Sequence, residues 1–413
     1  MSIKKYNFNR RVLGYINALG NEVEIDAFSY RALNVNASDF GYAPRPTRWI
    51  AYFRNKSFLI RFSLIIISFL WKYCISYTFF IYQSFRYNTF SRANIEEIPK
   101  KSKIGLAFSI RATELIIEKN INEKLDCWIL FPWVDSKKIS ASTITYNVFS
   151  FLTFYDLLLA FKSTVKALDV FYRYYENKGN ILQTYTAFTW FCSEIALEKI
   201  KARYYFAEHF DRWAVLIDFV SQEFKRKNSE IELNLIQHGL VGNISEENKL
   251  FITTKLETVK TLYALDEGSV NYFKKYVFSS RANIRHVFFY KNILNLSDVR
   301  DLSKFSILFV GSPFCENLHV SMYHMLKINP NVHIYYKPHP LYNLSKKIMN
   351  QDWEVIQDKN FFPSIDLLIS YPSTLAIEYT EAGAECIVHP IDLDIENVGN
   401  LLIKIKNYIK QKQ

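Results

Sequence analysis

A chain of 413 residues is too long for one ordinary hydrophobic core and suits two α/β domains with an appendage. Its 49% hydrophobic and 22% charged residues exclude a disordered polymer and supply enough apolar side chains for sizeable cores. The formal net charge of +11 calls for an anionic partner. With no zinc-finger spacing, basic helical repeat or aromatic RNA-binding signature, a membrane surface or a phosphorylated substrate fits that charge better than nucleic acid. The five cysteines (Cys74, Cys127, Cys192, Cys315, Cys386) are scattered and never form a CxxC pair, so neither a disulfide framework nor a zinc site is expected, and a reducing compartment is. The opening MSIKKYNFNRR leads into polar sequence rather than an apolar signal core, which argues against secretion.

Residues 1–100 form the appendage. Within it, residues 57–85 read SFLIRFSLIIISFLWKYCISYTFFIYQSF, interrupted only by Arg61 and Lys72. The uncharged runs on either side of Lys72 are shorter than the ~20 apolar residues a span requires. Basic residues in and around the segment (Arg54, Lys56, Arg61, Lys72, Arg86) suit a helix lying in the interface of an anionic membrane. A buried core helix or helical hairpin fits the same pattern.

Regular alternation begins after the linker IPKKSK and defines a domain over residues 101–295. KIGLAFSI reads as a strand and RATELIIEKNI as the helix that follows, the opening of a Rossmann-like unit. CWILFPW, YYFAEHFDRWAVLIDFVSQEFKRKN, IELNLIQHG, KTLYALDEGSVNYFKKYVF and RHVFFY continue the rhythm. A second domain, residues 296–413, runs from FSILFVGSPF through the helix ENLHVSMYHMLKIN to the strand VHIYYKPHP. The strands WEVIQD, IDLLISYPS and AECIVHP follow, with TLAIEYTEAG a helix closed by Gly383 and ENVGNLLIKIKNYIKQK a basic amphipathic tail. Strands alternating with helices at this interval imply parallel sheets, whose ligands lie beyond the carboxyl ends of the strands.

Three polar clusters occupy such strand ends. In Lys337-Pro338-His339-Pro340 two prolines fix the backbone that presents His339 and Lys337. Ser370-Tyr371-Pro372-Ser373-Thr374 precedes a helix, where hydroxyls and orphan N–H groups make either an anion site or a plain N-cap. Glu378 follows one turn later, suited to a ribose hydroxyl or to solvent, and Gly311-Ser312 turns away from the strand FSILFV as a further donor-side element. In the first domain, Gln237-His238-Gly239 ends a strand, with Gly239 permitting a sharp turn that aims His238. A general base for an acceptor hydroxyl belongs on this side, from among Glu208, Asp211 and the pair Asp266-Glu267. Asp266 also suits the N-cap of the helix after it. No DxD motif precedes a strand end, and no GxSxG, P-loop or GxGxxG motif occurs. His319, His324 and His333 show no ligand-like arrangement.

Residues 305–390 resemble the C-terminal nucleotide-binding half of bacterial sialyltransferases and of capsule or lipooligosaccharide transferases, families with the GT-B fold, an HP motif and a downstream serine motif. That resemblance implies that His339 contacts the donor's phosphate or acts as general acid. It also implies that Ser373 and Thr374 bind the phosphate of a cytidine nucleotide. Gln237-His238-Gly239 resembles an element of capsule and O-antigen transferases, the run 208–213 resembles the polar turn that precedes it, and Asp266-Glu267-Gly268 resembles the acidic motif that supplies the sialyltransferase base. Related motifs occur in CDP-glycerol and Kdo transferases.

The expectation is therefore an α/β, GT-B enzyme of two Rossmann-like domains facing across a cleft, with an N-terminal membrane-associating helical segment. It would move a sugar, sialic acid or Kdo from a CMP donor, onto a surface polysaccharide or lipooligosaccharide. Its partners would be a nucleotide sugar and a glycan or glycolipid acceptor, with no metal or other cofactor, at the inner face of the cytoplasmic membrane. A glycerophosphotransferase, a UDP-sugar enzyme and a non-catalytic scaffold of a polysaccharide assembly complex are the rival readings.

Overall fold

The computed structural model describes residues 10–32, 58–90, 92–99, 102–118, 125–135, 139, 143–174, 178–238, 252–290, 294–298, 303–339, 344–390, 393 and 398–412. The chain divides into two compact units, the first reaching Tyr290 and the second taking the remainder to the C-terminus.

The first unit opens with α1 (Arg10–Ala32), α2 (Phe58–Leu70), a π-helical turn (Trp71–Ile75) and α3 (Ser76–Asn88). It continues with β1 (Lys103–Ala107), α4 (Ile110–Glu118), β2 (Cys127–Leu130), β3 (Ile144–Asn147), α5 (Phe154–Tyr174) and α6 (Ala187–Leu197). Then come β4 (Arg203–Phe206), α7 (Arg212–Arg226), β5 (Glu232–Ile236), β6 (Val259–Ala264), α8 (Glu267–Tyr272) and β7 (His286–Phe289). Among the described residues the sheet has the order β3-β2-β1-β4-β5-β6-β7, every neighbouring pair parallel. Short strands such as CWIL are buried along their whole length, as a sheet covered on both faces requires. The strand order reverses between β1 and β4, the topological switch point at which such sheets bind ligands.

The first hundred residues pack into this unit. α1 is tied to its neighbours by ion pairs from Arg10 to Glu223 and from Arg11 to Glu198 at 2.7 Å. α2, the π turn and α3 run on without a break, and their inner side is anchored by polar contacts. Trp71 Nε1 donates to Thr184 Oγ1 (3.0 Å), and the Tyr87 hydroxyl meets Thr189 Oγ1 (2.7 Å) while its ring stacks on Phe149.

Lys72 turns inward. Its ammonium lies 3.5 Å from Asp169 and 3.8 Å from the Tyr172 ring centroid, because a charge mid-segment is less costly beside a carboxylate and a π-face than among apolar side chains. Outward point Phe58, Leu59, Phe62, Ile65, Tyr82 and Phe85, each more than half exposed. The stretch Phe62–Asn88 is long and apolar enough to cross a membrane by length and composition, with a mean hydropathy of 1.7 and 22% of its most apolar window buried. Arg54 and Lys56 lie outside the described residues, as does the side chain of Arg61; Arg86 is exposed.

The second unit contains β8 (Phe305–Val310), α9 (Glu316–Leu326), β9 (Val332–Lys337), α10 (Lys346–Met349), β10 (Glu354–Val355), β11 (Leu367–Ser370), α11 (Thr374–Glu381), β12 (Glu385–Val388) and α12 (Val398–Lys412). The described strands form a parallel sheet in the order β10-β9-β8-β11-β12, reversing between β8 and β11. Alternation along β8 feeds two cores. Ile307 and Phe309 join one with Trp353 and Ile405, whereas Leu308 and Val310 join the other with Tyr379. Gly383 ends α11 at φ +89°, a left-handed conformation that glycine adopts without steric cost.

Candidate functional site

In the first unit, Glu208 lies two residues past β4 and within hydrogen-bonding reach of Ser109, two residues past β1. This is the switch point itself. The Glu208 side chain is buried, 6% of the residue being accessible, and its Oε2 has no hydrogen-bond partner among the described residues. Burial and then the neighbouring Asp211 carboxylate hold the Glu208 carboxyl well above the usual range, since both penalise a second negative charge in a dry site.

Asp211 is the N-cap of α7, its Oδ1 accepting from Trp213 N (2.9 Å) and Ala214 N (3.1 Å). Burial and then Glu22 raise it to about 6. A carboxyl with a raised folded-state pKa contributes stability that is present below its unfolded value and lost as pH rises through about 6. Asn caps a helix as well as Asp does but has no proton to lose. Asp211→Asn is therefore expected to gain thermal stability over the native chain as pH rises from 4 to 7.5, with no difference at the acid end; melting curves across that range check it.

Two His residues complete the cluster. His209 is fully enclosed, and its Nε2 accepts from the His238 backbone N–H at 2.7 Å. Burial, followed by His238, pushes its pKa far down and keeps it neutral. His238, one residue past the Gln237 that follows β5, donates from Nδ1 to the Ala207 carbonyl, which leaves Nε2 with its lone pair. The rings sit 4.2 Å apart between centroids.

The structure thus brings together Glu208, His209, Asp211 and His238 at the ends of the adjacent strands β4 and β5. It leaves Asp266 past β6, two strands from β4, exposed and capping α8 through Ser269 N at 2.6 Å, with Glu267 exposed beside it. Gln237, expected to line an acceptor cleft, is fully buried. Its amide donates to Ser269 Oγ and accepts from Leu265 N, both at 2.9 Å, so it ties β5 to the end of β6. Gly239 lies outside the described residues.

Sequence reasoning missed the residues that set this cluster in place. Asn21 of α1 donates to the carbonyls of Phe210 (3.0 Å) and Thr254 (2.8 Å) and accepts from Thr254 N (2.8 Å). Glu22 pairs with the buried Arg212 at 2.8 Å. The available signal was the Asn-Glu pair that directly follows the mainly apolar run VLGYINALG. Trp133, just past β2, was also missed. It is about half exposed, donates to the Phe108 carbonyl at 2.7 Å and lies 5.5 Å from Trp213, presenting an aromatic face beside the switch point.

In the second unit, Gly311 and Ser312 follow β8 while Ser370 ends β11 and Ser373 comes three residues later, again at the switch point. Ser370 Oγ donates to the Tyr371 carbonyl (2.6 Å), so the 2.8 Å contact between the two hydroxyls is donated by Ser373, whose oxygen in turn accepts from Ala376 N (3.2 Å). Ser370, expected to bind donor directly, is fully buried and braces the cap. Thr374 opens α11 and Glu378 lies one turn on, both half-buried.

Gly311 is explained by packing, since a Cβ there would collide with Tyr336, whose ring stacks on Trp353. Ser312 is buried and its carbonyl accepts from Cys315 N. Lys337 corrects a second expectation: its ammonium donates to the carbonyls of Asp358 (2.9 Å) and Phe361 (2.8 Å) and packs on Phe362. Burial lowers its pKa, and it fastens the loop after β10 rather than meeting a phosphate. His339, two residues past β9, is half-buried; Pro340 lies outside the described residues. His319, which showed no ligand-like spacing, is fully buried against Cys315 and His389.

No protein-family profile and no curated protein matches the chain. Among solved structures it is similar to a Listeria monocytogenes protein named as a UDP-N-acetylglucosamine 2-epimerase, at 11% identity over 76% of this chain and 91% of that one, with a TM-score of 0.39. It is similar to MurG of Acinetobacter baumannii at 11% identity over 74% and 82%, TM-score 0.35. It is also similar to the wall teichoic acid polymerase TagF at 10% identity over 86% and 90%, TM-score 0.39.

Proposed function

We propose that the chain is a GT-B-type glycosyltransferase that moves a sugar from a nucleotide donor onto an acceptor hydroxyl. The observation that carries this reading is Glu208, a buried carboxylate with an unpartnered oxygen at the switch point of the first sheet. Glu208 deprotonates the acceptor hydroxyl as the glycosidic bond forms, and Trp133 offers an aromatic face to the acceptor sugar. In the second unit the start of α11, with Thr374 and the Ser373 cap, attracts the donor's phosphate through its orphan N–H groups and dipole. His339 assists departure of the nucleotide. An acidic sugar on CMP, sialic acid or Kdo, is the donor that the motif resemblance favours, and no metal or other cofactor enters the transfer step.

The test is thermal protection of the purified chain by CMP, UDP and CDP-glycerol. A ligand at 100 times its Kd adds about 2.7 kcal/mol to the folded state. CMP is expected to raise the melting temperature most. Protection by UDP or CDP-glycerol instead would move the donor to those classes, and no shift with any nucleotide would favour a scaffold and end the transferase reading.

The acceptor belongs to the bacterial surface-glycan class, and the exposed face of α2 and α3 holds the enzyme at the inner face of the cytoplasmic membrane. Each large apolar side chain contributes about 1.5–3 kcal/mol on full burial. Phe62→Glu with Ile66→Glu is therefore expected to weaken co-flotation with anionic vesicles by about tenfold per residue. Unchanged flotation would detach this helix from the membrane.

A further inference from the structure

Cys315, His319 and His389 form a buried cluster that the transfer reaction does not use. Cys315 stands at the N-cap position of α9 and His319 lies one turn on, the i, i+4 spacing that puts two ligands on one helix face. His389 comes from the residue after β12, seventy positions away in sequence from His319. The residues are 1%, 0% and 2% accessible, and their ligand atoms all lie within 4.8 Å of one another.

As a purely structural pair the two imidazoles are incompletely satisfied. His389 Nδ1 lies 2.7 Å from the Pro390 carbonyl, which only accepts, so Nδ1 carries the proton and Nε2 presents its lone pair. The 2.9 Å contact between the two Nε2 atoms must then be donated by His319. That leaves His319 Nδ1 as a bare lone pair, buried and without a partner among the described residues.

We propose that Cys315, His319 and His389 bind a borderline-soft divalent cation, Zn²⁺ in the first instance, as a Cys-His₂ site beside the second unit's switch point. Thiolate and imidazole are the ligands such ions select over Mg²⁺ or Ca²⁺. Two imidazole nitrogens about 2.0–2.1 Å from a tetrahedral Zn²⁺ stand about 3.3 Å apart, so the pair opens by only a few tenths of an ångström. The Pro390 carbonyl supplies the outer hydrogen bond that orients a ligating His. On binding, the Cys315 thiol releases its proton to solvent and forms the S–metal bond, and the His319 Nε2 proton moves to Nδ1. Burial keeps both imidazoles neutral and so ready to coordinate.

The cation would clamp the loop after β8 to the end of β12. Cys315 N donates to the Ser312 carbonyl and His389 N to the Ser370 carbonyl, so the clamp holds the two serines that flank the crevice. The site goes beyond the transferase reading and does not depend on it.

The experiment measures metal content and Co²⁺ absorption of the full chain after loading with Zn²⁺ or Co²⁺, with Mg²⁺ as control. Stoichiometric Zn²⁺ after dialysis, tetrahedral Co²⁺ bands with a thiolate charge-transfer band, and a melting temperature raised by Zn²⁺ but not Mg²⁺ are expected. Cys315→Ser should abolish the charge-transfer band and weaken binding by more than the 10–100-fold that losing an outer hydrogen bond costs, while Cys74→Ser leaves both intact. Substoichiometric Zn²⁺ with no thiolate band in the native chain, or a band that survives Cys315→Ser, would overturn the proposal. Because the readout is metal rather than turnover, its failure leaves the transferase reading standing, and the converse holds.

Discussion

Turnover is expected to fall by about 10²–10⁴-fold when Glu208 is replaced by Gln, the range a positioned general base contributes. Gln keeps the shape and cannot accept the proton. The fold should tolerate the change, because the native side chain is buried with an unpartnered oxygen and gains little from its charge. The pH profile separates this role from a structural one. An ordinary Glu titrates near ~4.3; burial and Asp211 hold the Glu208 proton to higher pH, and Asp211 itself titrates at about 6. The two carboxyls titrate as a pair, so kcat/KM of the native enzyme should decline on the acid side well above the ordinary range. Glu208→Gln should flatten that limb. Native-like turnover in Glu208→Gln would pass the base role to His238, whose Nε2 lone pair follows from its Nδ1 bond to Ala207.

Glu22→Ala should destabilise the first unit by about 3–5 kcal/mol, the cost of leaving one partner of a buried ion pair without the other. Arg212 and Glu22 have side chains 9% and 3% exposed and meet at 2.8 Å. Two further atoms of the guanidinium, Nε and Nη1, have no hydrogen-bond partner among the described residues, so Glu22 is its principal compensation. A loss of this size lowers a melting temperature by roughly 10 °C in a domain of this length. Glu22→Gln, which retains a hydrogen bond, should lose less, and in that variant the pKa of Asp211 should fall because its second-largest raising influence is removed. Calorimetric melting and carboxyl titration by NMR measure the two effects. A Glu22→Ala chain that melts with the native one would show that Arg212 finds its counter-charge elsewhere.

What the sequence discloses is local. Strands such as KIGLA and LLIS lie in short, mainly apolar runs that close on Ser109 and Ser370, and Asp211 and Ser373 stand where an N-cap belongs, so their elements and strand-end positions are readable directly. Long-range pairing is not readable. Glu22 meets Arg212 across 190 positions and His319 meets His389 across 70, and neither distance leaves a periodic trace. Side-chain direction at a strand end is equally hidden: Lys337 sits where a phosphate-binding cation would, but carbonyls of the loop after β10 capture it. The helix α6, between β3 and β4, is hidden from sequence because the apolar residues of AFTWFCSEIAL surround it completely and show no amphipathic period.

Transfer of sugar from a nucleotide is the activity on which the proposed roles of Glu208 and His339 rest. Mass spectrometry of products after incubation with a panel of CMP-sugars and a glycan acceptor tests it most directly. A product heavier by one acidic sugar residue, released CMP, and strongly reduced turnover with His339→Ala are expected. Intact donor and unmodified acceptor across CMP-, UDP- and CDP-linked panels would contradict it.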